Sequence, residues 1–245
     1  MKRRIENLVY PERLFGGFSR VDGTVHFYSR VQAMLQPADV VLDVGCGRGR
    51  RSDDASNYRQ RLQDLGGAER TVLGIDVDRA AAVNPFIDEF RLIDDVQSWP
   101  VADATIDFLI ADYVLEHVET PERFFQEAYR VLKPGGQLAL RTPNAHSYVA
   151  VVARLIPNSG HARVTTWAQS GRKGIDVFPT RYRCNTRGKL RRVLKQSGFD
   201  ACVYSIEAEP GYMAFSRLAY RIAAAAHKLF PPSLRTTLLA FGRKR

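Results

Sequence analysis

The chain has 245 residues, of which 45% are hydrophobic and 25% charged, a composition that fits one globular domain and excludes a disordered chain. No run of about 18 uncharged apolar residues occurs, and residues 1–7 are basic without the apolar segment of a secretion signal. The cysteines Cys46, Cys184 and Cys202 are odd in number and lack metal-ligand spacing. We therefore expect a single domain over residues 1–245, located in the reducing cytoplasm and without a metal site.

The first predicted strand carries the most informative motif of the chain. Residues 40–44 are apolar except for Asp43, and the glycines Gly45, Gly47 and Gly49 follow. Glycines at this spacing let the backbone turn tightly beside a ligand before the next helix. The G-x-G-x-G pattern after an acid differs from the dinucleotide fingerprint G-x-G-x-x-G. It predicts a loop that holds a nucleotide-like cofactor.

The next three predicted strands each lead to polar residues suited to a nucleoside. Residues 71–75 form a β-branched strand that ends at Asp76, whose carboxylate can accept hydrogen bonds from both ribose hydroxyls. Residues 90–93 form the third strand, before the acidic pair 94–95, and residues 106–111 form an apolar fourth strand. Strand-end acids in this order indicate one cofactor site at the carboxyl edge of a sheet.

The motifs DYVLEHV at residues 112–118 and RVLKPGG at residues 130–136 complete the pattern. With them, residues 40–144 resemble the class I S-adenosylmethionine-dependent methyltransferases. The resemblance implies a Rossmann-like α/β fold, with a seven-stranded and mostly parallel sheet, helices on both faces and an antiparallel last strand. It also implies S-adenosyl-L-methionine as the cofactor and favours Asp95 over Asp94 at the adenine amino group. The cofactor-binding residues that it suggests are Asp43, Val44, Gly45, Cys46, Gly47, Gly49, Asp76, Val77, Asp95, Val96, Asp112 and Tyr113.

The later elements continue the alternation of helices and strands that a parallel sheet requires. Thr120 is predicted to cap a helix that residues 133–136 end, and Thr186 to cap a helix that ends at Gly198. The remaining predicted strands are residues 137–142, 201–206 and 238–241.

Charge is distributed unevenly along the chain. Residues 1–140 contain 17 Lys/Arg and 22 Asp/Glu, a net charge of −5, whereas residues 141–245 contain 19 and 4, a net charge of +15. The basic part suits an anionic substrate, a membrane surface or nucleic acid, or it is a solvated surface that aids solubility. Within it we predict two insertions, a substrate-side loop at residues 143–185 and an amphipathic segment at residues 211–232 between the last two strands.

The second insertion is predicted to be helical over residues 213–230. Basic side chains would then share one stripe and apolar ones the opposite side. The basic stripe consists of Arg217, Arg221 and Lys228, and the apolar one of Leu218, Ile222, Ala226 and Leu229. Such a helix either lies on an anionic bilayer or packs on the sheet as an ordinary amphipathic helix.

A methyl acceptor with a hydroxyl group needs a proton acceptor in addition to alignment with the methyl donor. The histidines considered for this role are His161 and His146 in the substrate-side loop and His117 in DYVLEHV, with His227 as a weaker candidate. The residues expected to bind substrate are Arg163, Tyr182 and Arg183.

The acceptor is expected to be a hydroxyl of a sugar, a lipid-linked glycan or another small metabolite, because the loop resembles that of bacterial methyltransferases of the polysaccharide type. The place after the fourth strand lacks the Asn/Asp-Pro-Pro-aromatic motif typical of enzymes that methylate exocyclic amines of nucleobases. The alternative is an RNA-directed methyltransferase or RNA-binding module that uses the basic half. An anionic membrane surface is a further expected partner, at the inner face of the membrane, and the sequence leaves the oligomeric state open.

Overall fold

The computed structural model describes residues 2–54, 56–96, 98–148, 150 and 179–245, arranged around one seven-stranded sheet. The strands are β1 Val40–Val44, β2 Thr71–Asp76, β3 Glu89–Leu92, β4 Ile106–Asp112, β5 Leu132–Pro143, β6 Phe199–Ile206 and β7 Thr237–Lys244. The described helices are α1 Lys2–Val9, α2 Gly23–Met34, α3 Asn57–Leu62, α4 Pro121–Val131, α5 Arg187–Gln196 and α6 Arg217–Ala226. Short 3₁₀ turns lie at Pro11–Leu14, Arg50–Asp53, Arg79–Val83, Gly211–Met213 and His227–Leu229. Within these ranges, no helix is both long enough and apolar enough to cross a bilayer.

The sheet has the strand order β3-β2-β1-β4-β5-β7-β6. The first five strands pair in parallel, and β7 inserts antiparallel between β5 and β6. This arrangement confirms the predicted Rossmann-like fold. The carboxyl ends of β1, β2 and β4 meet at one edge, so the residues that follow these strands converge there.

Helices cover both faces of the sheet, and the side chains of β1 show why its sequence is almost continuously apolar. Val41 packs with Phe27 and Val31 of α2 on one face. Leu42 points to the other face, where Phe125 of α4 and Leu190 of α5 belong to the same core. Consecutive strand residues thus serve two different cores.

Helix boundaries follow the predicted local signals in most places. The Thr186 hydroxyl accepts a hydrogen bond from the Lys189 N–H (3.3 Å) at the start of α5, and Gly198 has φ +90° just after its end. α4 begins at Pro121 as predicted, although the Thr120 side chain makes no capping hydrogen bond.

Two boundaries differ from the sequence-based expectation. α4 ends at Val131 and β5 already starts at Leu132, so residues 133–136 form the irregular first part of the strand instead of a loop. The Lys133 ammonium holds this part against the neighbouring strand through both oxygens of Asp107 (2.8 and 2.7 Å). The register between β4 and β5 shifts at this point.

The second difference concerns the helix expected over residues 213–230, which is regular only over Arg217–Ala226. The Ser216 hydroxyl caps its first turn by accepting the N–H of Ala219. The helix packs beside α1, where the fully buried Tyr220 forms a small separate core with Ile5.

Candidate cofactor and acceptor site

The loop after β1 turns where the glycine motif predicts. Gly45 donates its N–H to the Ile75 carbonyl at 2.7 Å and has φ +70°. A Cβ on Gly45 would lie 2.6 Å from Val114 Cγ2, and one on Gly49, where φ is +77°, would lie 2.6 Å from the Asn84 side-chain oxygen. These two glycines are therefore required by the packing of the loop itself.

Gly47 differs from its two neighbours because a Cβ there would meet no atom within 4 Å. Its N–H donates to one carboxylate oxygen of the buried Asp76 (2.9 Å), and the other oxygen accepts the N–H of Asp78 (2.9 Å). Asp76 thus fixes the loop against β2 while each of its oxygens keeps a further lone pair. The open space beside Gly47 suits the close approach of a ligand, and ribose binding by Asp76 stays a prediction.

Asp43 lies between two other acids at this edge. Burial, reinforced by the charges of Asp112 and Asp76, raises its pKa from 3.8 to about 7, although Arg51 partly opposes this effect. A carboxylate in such surroundings is stabilised by a cationic ligand. The cofactor implied by the sequence carries a sulfonium and an ammonium group, so these residues fit it.

Other residues expected at the cofactor lie at the same edge of the sheet. Val77 and Val96, which follow β2 and β3, expose apolar side chains that are suited to cover an adenine ring. Asp95 is exposed between them in the chain, and its carbonyl accepts the N–H of Ser98 (3.0 Å) in a tight turn. Their contacts with the cofactor stay predictions.

The side chains of Val44 and Cys46 pack within the protein. The Val44 side chain is buried in the main core, so only its backbone is available to a ligand. The Cys46 carbonyl accepts a hydrogen bond from the Asn84 side chain (2.9 Å), and its sulfur packs against Gly74, where a Cβ would lie 2.8 Å away. Gly74 thus leaves room for the Cys46 side chain under the loop.

We call the edge of the sheet where β1, β2 and β4 end the cofactor edge. A buried ion pair lies on its β4 side. Arg141 donates to both oxygens of Asp112 at 2.5 Å, and the Tyr28 hydroxyl donates to one of them at 3.0 Å. Arg141 also bonds the Thr24 hydroxyl and lies over the ring of Tyr113, 4.8 Å from its centre. The Asp112 side chain therefore holds α2 in place, a role that the sequence did not predict. Tyr113 is partly exposed at this edge.

His117 is tied into a buried polar cluster beyond β4. Its Nδ1 lies 3.0 Å from the Pro179 carbonyl, and its Nε2 lies 3.9 Å from Glu116. The Thr142 hydroxyl donates to Glu116 (3.0 Å) and accepts from the Asn185 amide (2.6 Å). This cluster joins the ends of β4 and β5 to the chain before α5, which gives His117 a role within the fold.

Of the two loop histidines, the structure describes one. His146 is exposed beside a cavity of about 340 Å³ at the start of α5, which Arg187 and Arg191 also line. His161 lies outside the described residues. The structure thus places the described loop histidine, His146, beside this cavity.

The residues expected to bind substrate contact the segment after β4. Tyr182 donates its N–H to the Glu116 carbonyl (3.2 Å), and Arg183 pairs with Glu119. Arg163 lies outside the described residues. Substrate binding by these three residues stays a prediction.

A larger cleft of about 670 Å³ lies between α1, α6 and the segment that follows β6. Its walls combine apolar side chains with several ionisable ones. The ionisable lining residues include Arg20, Arg217, Arg221, Glu207 and His227.

His227 is the histidine that this cleft contains. Its Nε2 lies 3.0 Å from the Tyr148 hydroxyl, and its Nδ1 lies 3.6 Å from Glu207. The backbone and hydroxyl of Thr236 donate to Glu207 (3.2 and 2.9 Å). Burial lowers the pKa of His227 and raises that of Glu207 to about 7. Sequence analysis missed Glu207 and Tyr148 because the three residues are far apart in the chain.

The start of α2 lies between this cleft and the cofactor edge. Arg141, which binds Asp112, also reaches Thr24 in the first turn of α2. A Cβ on the neighbouring Gly23 would lie 3.2 Å from the Ala208 side chain, which lines the cleft. One helical turn thus contacts both regions.

Residues 42–140 match the methyltransferase domain family. A probable S-adenosylmethionine-dependent methyltransferase of Mycolicibacterium smegmatis is 30% identical over 109 residues, 42% of this chain and 38% of that protein. A ubiquinone biosynthesis O-methyltransferase of Xanthomonas axonopodis pv. citri is 30% identical over 141 residues, 54% of this chain and 58% of that protein. The chain therefore spans less than two thirds of either relative.

The fold is similar to that of geranyl diphosphate C-methyltransferase from Streptomyces coelicolor A3(2), crystallised with Mg²⁺, geranyl diphosphate and S-adenosyl-L-homocysteine. The TM-score is 0.55 at 14% identity, over 90% of this chain and 78% of that one. The match over residues 42–140, within a sheet of this strand order, supports a class I S-adenosylmethionine-dependent methyltransferase domain in this part of the chain.

Proposed function

We propose that the protein transfers a methyl group from S-adenosylmethionine to a hydroxyl oxygen of a small acceptor, such as a sugar, a lipid-linked glycan or another metabolite, bound in the larger cleft. The observation that carries this proposal is the buried His227 in a cleft that shares the first turn of α2 with the cofactor edge. A relative that is an O-methyltransferase supports oxygen as the acceptor atom.

The cofactor supplies an activated methyl group on its sulfonium, so the protein mainly has to align the reacting groups. Asp43 offers a carboxylate to the cationic end of the cofactor, and Asp76 offers acceptors to its ribose. Gly47 leaves the space in which the cofactor can approach the backbone. Asp112 already has a cationic partner in Arg141, so Asp43 is the acid that a cationic ligand can stabilise at the end of β1.

His227 is suited to receive the proton of the acceptor hydroxyl. Its lowered pKa keeps the ring neutral near pH 7, and in the tautomer that carries its proton on Nδ1 the ring accepts at Nε2 from the Tyr148 hydroxyl at 3.0 Å. As the acceptor hydroxyl gives its proton to the Tyr148 oxygen, the Tyr148 proton passes to His227. The Glu207 carboxylate, 3.6 Å from the other ring nitrogen, then stabilises the imidazolium.

The charge of the cleft favours an acceptor that carries an anionic group. Arg20, Arg217 and Arg221 line it, and a phosphate or carboxylate would pair with such side chains. All three cysteines of the chain are free thiols, which supports a reducing cytoplasmic setting.

The proposal is tested by incubating the protein with methyl-labelled S-adenosylmethionine and fractionated cell extract, and then by identifying the labelled product. With the acceptor in hand, His227→Gln should lower turnover about 10²- to 10⁴-fold while the affinity for S-adenosylhomocysteine stays unchanged. His26→Gln is the control, because this exposed histidine contacts Tyr204 and does not line the cleft. Label on nitrogen or carbon, or wild-type turnover by His227→Gln, would contradict the proposal.

A further inference from the structure

α6 exposes the apolar side that an amphipathic helix usually buries. Its inward contacts come from Tyr220, which is fully buried, and from Ala224, both packed near α1. Leu218, Ile222 and Leu229 are instead 68%, 60% and 84% exposed. Leu218 and Ile222 lie one turn apart on α6, and Leu229 follows in the 3₁₀ turn after it. We call the three residues the apolar stripe.

The segment that carries the apolar stripe is positively charged. Residues 211–232 contain three Lys/Arg and no Asp or Glu. The preceding acids are engaged elsewhere, since Glu207 accepts two hydrogen bonds from Thr236 and Glu209 pairs with Arg13. An apolar stripe in a segment with this net positive charge is complementary to an anionic lipid surface.

The apolar stripe also borders the mouth of the larger cleft. Arg217 and Arg221, each adjacent in sequence to a stripe residue, line the cleft, and so does Ala225, which falls between Ile222 and Leu229 on the same helical face. The exposed Leu8 of α1 lines it as well. Contact of the stripe with a surface would therefore bring the cleft mouth close to that surface.

We propose that α6 docks the protein on an anionic membrane, with the apolar stripe inserted among the lipid headgroups and the positive charge of residues 211–232 facing lipid phosphates. A second copy of the chain is the less suitable occupant. Two such faces would bring like charges together, and three side chains are few against the 20–30 residues per partner that stable interfaces contain. The docking is independent of the proposed function. Entry of a lipid-linked acceptor from the membrane would rest on the proposed function.

The test is co-sedimentation of the full chain with vesicles of phosphatidylglycerol mixed equally with phosphatidylcholine, and with pure phosphatidylcholine vesicles. We expect binding to the anionic vesicles only, and its reduction at about 1 M salt, where the Debye length falls to about 3 Å. The double variant Leu218→Glu/Ile222→Glu should weaken binding at least about tenfold, because each change removes apolar insertion and adds repulsion. Val83→Glu, at an equally exposed apolar residue outside α6, should bind like the wild type.

Three results would overturn the docking. The wild type fails to bind anionic vesicles, the stripe variant binds as well as the wild type, or the protein binds transfer RNA tightly and vesicles not at all. Analytical ultracentrifugation of the wild type and the stripe variant tests a second copy of the chain as the occupant. If the wild type is a dimer, the variant is a monomer and neither binds vesicles, the apolar stripe serves self-association. Because none of these readouts uses an acceptor, they stand apart from the test of hydroxyl methylation, and the stripe variant should retain turnover on a water-soluble acceptor.

Discussion

Replacement of Asp43 by asparagine should make the protein without cofactor more stable and should weaken cofactor binding. The carboxylate is buried beside the charges of Asp112 and Asp76, and this surrounding raises its pKa from 3.8 to about 7. The asparagine amide would keep the shape of the side chain and lose the charge. The same substitution removes the acid that we assign to the cationic end of S-adenosylmethionine.

The pKa difference sets the size and the pH range of the effect. A change from 3.8 to about 7 is equivalent to about 4 kcal/mol. The residue is half-buried, so screening by solvent reduces this to about 2 to 4 kcal/mol. Because the folded-state pKa is raised, the penalty is absent below 3.8, grows as pH rises and is complete above about 7.

Thermal unfolding over a pH series measures the prediction. Wild type and Asp43→Asn should have similar Tm values near about pH 4, and the variant should unfold about 5 to 10 °C higher near about pH 8. Asp200→Asn, which removes an exposed acid on β6, should show no such trend. Calorimetry should find S-adenosylmethionine binding weakened about 10- to 150-fold in Asp43→Asn. A Tm difference that does not depend on pH would refute the raised pKa of Asp43. Unchanged affinity for S-adenosylmethionine would refute the contact of Asp43 with the cofactor.

Three further predictions concern the cofactor edge and the larger cleft. Asp76→Asn should reduce the affinity for S-adenosylhomocysteine by about 1.5 to 3 kcal/mol for each lost hydrogen bond to the charged group, and equal calorimetric affinity would contradict ribose binding. Gly47→Ala should weaken cofactor binding with a loss of stability of only about 1 to 2 kcal/mol from its positive φ, whereas Gly49→Ala, which would clash with Asn84, should lower Tm more. Turnover should fall at low pH with a midpoint below 6.5, because burial lowers the pKa of His227, and a midpoint above 7 would point to another group.

The fold could be predicted where local signals coincide with burial. The apolar run of β1 and the capping residue Thr186 depend on near neighbours in the chain, and both elements begin where expected. Residues 133–136 were misjudged because Pro and Gly signal a break. In the structure, the Lys133–Asp107 ion pair and the pairing of β5 with β4 keep this part in the strand.

The closeness of Asp43 and Asp76 was predictable, because each residue lies at the carboxyl end of a strand and parallel strands end at one edge of the sheet. The larger cleft was not predictable from the sequence. Tyr148, His227 and Glu207 come from three segments that lie together only in the folded sheet, where β7 lies between β5 and β6.

Arg141 did leave a signal, a charged residue directly after the apolar run at residues 138–140. A charge in such a place needs a buried partner, and Asp112 provides it.

The uneven charge of the sequence corresponds to two regions of the structure with opposite charge. Asp43 and Asp76 make the cofactor edge acidic, while Arg217 and Arg221 make the cleft basic. Under the proposed function, a cationic cofactor and an anionic acceptor would each be attracted to a different region and repelled from the other. The start of α2 contacts both regions, so two ligands sorted by charge would meet across a single helical turn. Electrostatic sorting of this kind favours the productive arrangement of both ligands before any specific contact forms between them.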